Sequence, residues 1–348
     1  MITYIRADGN SDIGLGHLIR CISLASELRK FSGIVFLCGD AASAKVASDY
    51  GFNVKIIGCV PFSSQEAYFV RKILDSSRDN DILLILDSYF ITNEYTESLQ
   101  ECAKIAVIDD MFNSYSGVDV IINYNCYAED EKYVCSNVKK PVLLLGSEFI
   151  PLREQFSGKV HRDYSKHSDI MITMGGGDPW NITGLVAKRL LGYSDNWDFR
   201  IHLICGRFNP NFEELQELGE ENPSVIIHET VKDMASMMEN CDISISAGGS
   251  TCYELCAMGI PFVIVSYADN QIRLSRSMEE KGVATYAGHI SDEKIVIDVV
   301  ESAVMNTLEL LNNEALRVTM GKKGVSLVDG CGAENLAKRL VKIMEDKA

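Results

Sequence analysis

Along the first half of the chain, short β-branched or wholly apolar runs alternate with helix-length amphipathic segments. The runs are Ile2 to Ile5, Ile34 to Cys38, Val54 to Ile57, Ile82 to Leu86, Ile105 to Ile108, Val120 to Ile122 and Val142 to Leu145. Runs that are apolar at every position, rather than every second one, fit strands covered on both faces, and helices between them make the sheet parallel. The pattern lapses from Ser147 to Ser168, a polar stretch with His161 and His167 that reads as an inter-domain connection carrying solvated histidines. A second series follows, with Ile170 to Met174, Phe199 to Ile204, Val225 to Ile227, Ile243 to Ser246 and Phe262 to Val265. Ser291 to Ala348 reads mainly as helix, with a turn at Asp329-Gly330-Cys331-Gly332 and a last helix from Glu334 to Met344. The pattern predicts an α/β chain of two Rossmann-like, doubly wound parallel-sheet domains, residues 1–150 and 165–325. A C-terminal helix, 326–348, can pack back on the first of them.

Open α/β sheets bind ligands at the carboxyl ends of their strands, so the polar residues there are the candidates for chemistry. After the first run comes Ala7-Asp8-Gly9-Asn10-Ser11-Asp12-Ile13-Gly14-Leu15-Gly16-His17-Leu18-Ile19-Arg20, which leads into a periodic helix from Cys21 to Leu28. A glycine-rich loop ending in a helix N-terminus offers N–H groups and a positive dipole end to an anion, and His17 stands at its mouth. Two close glycines, with Asp40 closing the next strand, invite a dinucleotide reading. Ile19 at the third fingerprint position and the length of the loop argue against it.

Other strand ends supply Asp87-Ser88-Tyr89, Asp109-Asp110 and Asn123-Tyr124-Asn125-Cys126-Tyr127. Adjacent strand residues face opposite ways, so Asp109 and Asp110 do not read as ligands of one ion. In the second series, Gly175-Gly176-Gly177-Asp178-Pro179 meets a helix begun by Asn181 and Thr183. Gly248-Gly249-Ser250-Thr251 opens another helix as a phosphate cradle, with Glu254 one turn inside as a ribose ligand; Asp269-Asn270-Gln271 follows the next strand.

Composition narrows the partners. The formal charge is 33 − 49 = −16, which removes the electrostatic basis of nucleic-acid binding but leaves room for an anionic small molecule in a locally positive cleft. The eleven cysteines include no C-x-x-C pair and sit mostly in apolar runs, so they read as reduced, buried thiols. Cys252 and Cys256 are one helical turn apart without a third or fourth ligand nearby; they read as packing, and no metal site is expected. With no secretory pattern and no apolar run approaching about twenty residues, the expectation is a soluble cytoplasmic protein.

Taken together, Gly14-Leu15-Gly16-His17-x-x-Arg20, Asp87-x-Tyr89, Asp109-Asp110, Asn123 to Ala128, Met174 to Asp178, Gly248-Gly249-Ser250-Thr251-x-x-Glu254 and Asp269-Asn270-Gln271 resemble the UDP-sugar hydrolases of pseudaminic acid biosynthesis, GT-B-fold relatives of the lipid II-forming N-acetylglucosaminyltransferase. The likeness spans residues 2 to 285; Ser88 stands where that family often has His. The resemblance implies two domains facing across a cleft, a first with the catalytic His and sugar pocket and a second that binds nucleotide. It implies cleavage of UDP-2,4-diacetamido-2,4,6-trideoxy-β-L-altropyranose to UDP and free sugar, with no cofactor. His17 would activate water, Tyr89 would line the reacting centre and Glu254 would bind ribose. Gly14, Gly16, Arg20, Asp87, Asp110, Asn125, Gly176, Gly177, Asp178, Gly248, Gly249, Ser250, Thr251, Asn270 and Gln271 complete the expected substrate contacts. A transferase using a sugar hydroxyl in place of water needs the same base and is the rival reading; a non-catalytic nucleotide-sugar sensor is the third.

Overall fold

Parallel pairing of apolar strands with buried crossover helices builds each half of the molecule. The computed structural model describes the chain apart from residues 10–14, 78–80, 131, 134–139, 159–161, 166–167, 176, 195–197, 207–208 and 347–348. Contacts divide it into two units, Met1–Glu154 together with Cys331–Ala348, and Gln155–Gly330.

Unit 1 runs β1 (Ile2–Ala7), α1 (Gly16–Leu28), β2 (Gly33–Cys38), α2 (Ala41–Asp49), β3 (Asn53–Ile56), α3 (Ser64–Asp75), β4 (Ile82–Asp87), α4 (Asn93–Leu99), β5 (Lys104–Ile108), β6 (Val120–Asn123) and β7 (Val142–Leu145). Its seven strands are all parallel, in the order β3-β2-β1-β4-β5-β6-β7. The order reverses between β1 and β4, which makes the ends of those two strands the ligand crevice expected of a doubly wound sheet.

One face of this sheet, with Tyr4, Leu84, Leu86 and Val107, packs on Val70 and Leu74 of α3 and on Tyr95 and Leu99 of α4. Arg6, on that face, is fully buried and forms a bidentate pair with Glu66 (2.9 and 3.0 Å), which also accepts from the Tyr95 hydroxyl at 2.9 Å; Asp8 lies 2.6 Å from its Nη1. Helices α2, α3 and α4 start where they do because Asp40, Ser63 and Thr92 accept a hydrogen bond from the N–H three residues on. Asp40 thus serves as the cap of α2, which accounts for it without a ribose.

Unit 2 runs β8 (Asp169–Thr173), α5 (Ile182–Leu191), β9 (Arg200–Ile204), α6 (Phe212–Glu221), β10 (Val225–His228), α7 (Met234–Glu239), β11 (Ile243–Ala247), α8 (Thr251–Ala257), β12 (Phe262–Ser266), α9 (Asp269–Glu280), β13 (Ala284–His289), α10 (Val296–Asn312) and α11 (Glu314–Leu327). Its six strands are parallel in the order β10-β9-β8-β11-β12-β13, with the switch point between β8 and β11. β13 is an addition to the predicted set. Ala-Thr-Tyr-Ala-Gly-His is not an apolar run, and it is held by pairing to β12 across a register shift opposite Ile264/Val265. Buried Arg317 donates to the carbonyls of Tyr164, Leu310 and Leu311, tying the end of α10 to the start of the unit.

The chain ends in α12 (Gly332–Glu345), which packs on α1 of unit 1; Lys104 Nζ donates to the Ile343 carbonyl at 2.7 Å and Asn335 Nδ2 to the Glu148 carbonyl at 3.2 Å. Gly332 is needed there, because a Cβ would lie 2.3 Å from the Ile150 carbonyl oxygen. Among the described residues ten cysteines are free thiols, seven of them buried, and no helix is long and apolar enough to cross a membrane.

Candidate active site

At the switch point of unit 1, β4 ends on Asp87 and α1 begins with Gly16-His17, a turn before Arg20. The His17 ring is therefore in the first turn of the helix rather than in the loop. It is 7% exposed, and its Nδ1 lies 2.7 Å from Asp87 Oδ1. The pairing is non-local by 70 residues and exists because β1 and β4 are neighbours in the sheet.

Asp87 is completely buried and collects donors on both oxygens: Arg20 Nε at 2.6 Å and Cys21 Sγ at 3.4 Å on Oδ2, Arg20 Nη2 at 2.5 Å and His17 on Oδ1. Burial alone would push the Asp87 carboxyl up; the Arg20 charge and hydrogen bonds, with those of His17, hold it well below the usual carboxylate range. A permanent carboxylate is an acceptor only, so it draws the imidazole proton to Nδ1 and leaves the Nε2 lone pair for another proton. Arg20 Nη2 also stands 2.8 Å from His17 Nδ1. Two donors converging on one carboxylate oxygen come this close, and the charged acceptor outcompetes the imidazole for the guanidinium hydrogen.

The other strand ends complete the surroundings. Arg20 Nη1 reaches Asp110 Oδ2 at 3.3 Å and the Tyr124 hydroxyl, with the guanidinium carbon 5.4 Å from the Tyr124 ring centre. Tyr89 packs edge-on to His17, ring centres 4.6 Å apart, and donates to Asp110 at 3.4 Å; it is half exposed. Asp109, just past the end of β5, bonds to a set separate from that of Asp110, accepting from Tyr133 (2.7 Å), Tyr115 (3.2 Å) and the Met111 amide (3.3 Å). Asn125 is buried and its amide donates to Asn123 Oδ1. Leu15, Phe90 and Met111 leave apolar side chains exposed on these same loops. A hollow of about 230 Å³ between α3 and α4, lined by Phe62, Tyr68 and Tyr95 among others, includes none of the candidate residues.

In unit 2, the loops after β8, β11 and β12 meet at one edge. Tyr267 donates to the Met174 carbonyl (2.6 Å), and Gln271 Oε1 accepts from the Tyr267 amide (2.9 Å). Gly248 is required by this packing, since a Cβ would lie 2.4 Å from Ser275 Oγ and 3.1 Å from Gln271, whereas Gly249 opens on free space. Ser250 and Asn270 are exposed; Thr251 and Glu254 are half-buried in the first turn of α8. Asp178 behaves differently from the ligand group its motif suggests. It is fully buried, and its carboxylate accepts from the Ile182 (2.7 Å) and Thr183 (2.9 Å) amides. The N-terminus of α5 is thereby capped by an anion from within, whereas at α8 the Cys252, Tyr253 and Glu254 amides donate to the Gly249 and Ser250 carbonyls and Ser250 makes no side-chain cap. Gly14 and Gly176, along with His161 and His167, lie outside the described residues.

Tyr124 belongs to the Asn123 to Tyr127 loop expected to supply aromatic and amide groups at this edge, and its hydroxyl meets Arg20. Among the described residues no group of three or more His, Cys, Asp or Glu side chains is arranged to hold a metal ion.

Residues 181–326 match the glycosyltransferase family 28 C-terminal domain. MurG of Acinetobacter baumannii superposes over 98% of this chain and 99% of its own, with a TM-score of 0.67 at 12% identity. The fold is GT-B. A second GT-B structure, the spinosyn rhamnosyltransferase SpnG, agrees over 99% of this chain and all of its own with a TM-score of 0.63 at 12% identity. In sequence the chain is similar to an uncharacterized protein of Methanocaldococcus jannaschii, 29% identical over 280 residues that make up 75% of this chain and 54% of that protein, so the match spans about half of it. It is 25% identical to the spore coat polysaccharide biosynthesis protein SpsG of Bacillus subtilis over 94% of both chains. It is also 24% identical to UDP-2,4-diacetamido-2,4,6-trideoxy-beta-L-altropyranose hydrolase of Campylobacter jejuni, over 81% of this chain and 97% of that enzyme. The likeness to these hydrolases, anticipated from the motifs, thus extends along nearly the whole of the Campylobacter enzyme.

Proposed function

We propose that this protein hydrolyses a UDP-linked 2,4-diacetamido-2,4,6-trideoxy sugar, releasing UDP and the free sugar. The observation that carries the reading is the His17–Asp87 pair at the unit 1 switch point, an imidazole whose Nδ1 is occupied by a permanent carboxylate. Such a ring can take a proton from water at Nε2 as that water attacks the anomeric carbon; a base so placed contributes roughly a hundred- to ten-thousand-fold. UDP then departs from the opposite face, with inversion. Tyr89 and Asp110 flank the base as sugar contacts. In unit 2 the loop that opens α8, with Gly249 and the Ser250 and Thr251 hydroxyls, meets the diphosphate at the positive helix end, and Glu254 takes the ribose hydroxyls. The mechanism uses no metal ion, so turnover is expected to survive chelation.

The second reading, a glycosyltransferase, is favoured by the family 28 match of residues 181–326. It needs the same base, with an acceptor hydroxyl in place of water. The deciding experiment incubates the protein with UDP- and CDP-linked 2,4-diacetamido sugars and no acceptor, following nucleotide release and product anomer by NMR. Sugar release with inverted configuration supports hydrolysis, and an intact donor that reacts only once a polysaccharide or glycolipid acceptor is added supports transfer. His17→Gln is expected to abolish nearly all turnover while UDP affinity stays near wild type; retained activity would refute the role of His17.

A further inference from the structure

The candidate base is held by more than Asp87. We propose that Arg20 is a positioning residue that clamps the Asp87 carboxylate so that His17 keeps its proton on Nδ1 and its lone pair on Nε2, and that it makes no contact with substrate. The inference rests on the reading of His17 as the base, and it reassigns an arginine whose place in a glycine-loop motif suggests a substrate contact.

A guanidinium has five N–H donors in a rigid plane. In Arg20, Nε and Nη2 span the two oxygens of Asp87 at 2.6 and 2.5 Å, while Nη1 is divided between Asp110 at 3.3 Å and the Tyr124 hydroxyl. All three nitrogens are thus engaged by protein groups of unit 1, and the side chain is only 13% exposed. An incoming phosphate would find no unengaged nitrogen here and would have to displace a buried carboxylate. The two-point grip also fixes the plane of the Asp87 carboxylate. That plane decides whether Oδ1 lies on the line of the His17 Nδ1–H bond. Without the fork the carboxylate can rotate, and His17 can place its proton on either nitrogen. Lysine supplies the charge but a single point of attachment, so it cannot hold the plane.

The test reads the His17 ring directly. Long-range ¹H–¹⁵N spectra of the full-length protein at pH 8, with the His17 signal assigned by its loss in His17→Gln, are compared for wild type, Arg20→Met and Arg20→Lys. Wild type is expected to show a protonated Nδ1 and a bare Nε2; Arg20→Met is expected to show both tautomers. With a UDP-sugar substrate, kcat of both variants is expected to fall about ten- to a hundredfold while KM stays within about twofold. A wild-type proton on Nε2, an unchanged tautomer in Arg20→Met, full kcat in Arg20→Lys, or a loss confined to KM would each overturn the clamp. Should Arg20→Met fail to fold, the wild-type spectrum and the lysine variant still decide. If no UDP-sugar is hydrolysed by wild type, the functional reading fails while the ring spectra still judge Arg20.

Discussion

Asp87→Asn is the most demanding perturbation of the candidate site, because the exchange is nearly isosteric and its effect is purely one of donors and charge. The native carboxylate accepts on Oδ1 from His17 and Arg20 and on Oδ2 from Arg20 and Cys21. An amide must turn its NH2 toward one of these sets. Facing Oδ2's partners, it sets donor against the Arg20 Nε–H. Facing Oδ1's partners, it donates to His17 Nδ1 and forces the ring proton onto Nε2, which removes the base. In both orientations Arg20 loses its buried counter-charge and one arm of its fork, keeping one bond to the amide oxygen beside Asp110 at 3.3 Å and Tyr124. Removing one partner of a buried pair costs about 3–5 kcal/mol, and the surviving Asp110 contact places this case at the lower end, about 3 kcal/mol. The wrong tautomer of a Ser-His-Asp histidine costs about 10⁴ in kcat, or about 5 kcal/mol of barrier, and a comparable loss is expected here.

The assay is nucleotide release from a UDP-sugar, alongside urea unfolding followed by far-UV circular dichroism. A folded Asp87→Asn protein with kcat within tenfold of wild type would refute the account of how His17 is held.

Other consequences follow from the same contacts. Asp87 stays charged in the folded protein to well below its ordinary value, so its contribution is complete above about pH 4 and is lost only as pH falls further toward the lowered folded value. The stability gap between wild type and Asp87→Asn should therefore be flat from pH 8 to about pH 4 and close below it; a gap that closes by pH 6 would contradict this. Asp178→Ala should destabilise unit 2 by about 1–2 kcal/mol by uncapping α5, with UDP affinity changed by less than about threefold in titration calorimetry; lost UDP binding at unchanged stability would restore Asp178 as a ligand. Glu66→Gln, which breaks the bidentate pair with Arg6, should cost unit 1 about 3 kcal/mol in the urea midpoint analysis while kcat is unchanged. A loss of activity without loss of stability would mean that this network reaches the site.

Most strands that were legible in the sequence are buried on both faces, while β3 and β7 were legible as apolar runs although they lie, largely exposed, at the sheet edges. β13 escaped because its place is decided by pairing with β12, not by its own composition. The site was legible only as a set of strand ends. His17, Asp87, Tyr89 and Asp110 could be named because a doubly wound sheet brings such ends to one edge, but which side chain bonds which depends on β1 lying between β2 and β4. Arg20 and Asp178 show the remaining gap. An arginine in a glycine motif and an aspartate before a helix have the same sequence signature whether they meet a ligand or a neighbour. In the fold Arg20 grips Asp87, and Asp178 accepts from the first amides of α5.

The last helix, α12, closes unit 1, burying Leu336, Ala337 and Leu340 in the same unit as the strands made first. During synthesis the ribosome must therefore deliver the whole of residues 155–330 before the opening sheet can receive its final cover. Unit 2, one uninterrupted stretch, can finish folding while the older half still waits. A released chain that ends before Cys331 would hold a complete second half joined to a first half that lacks its lid, with the apolar surface that α12 covers exposed on α1.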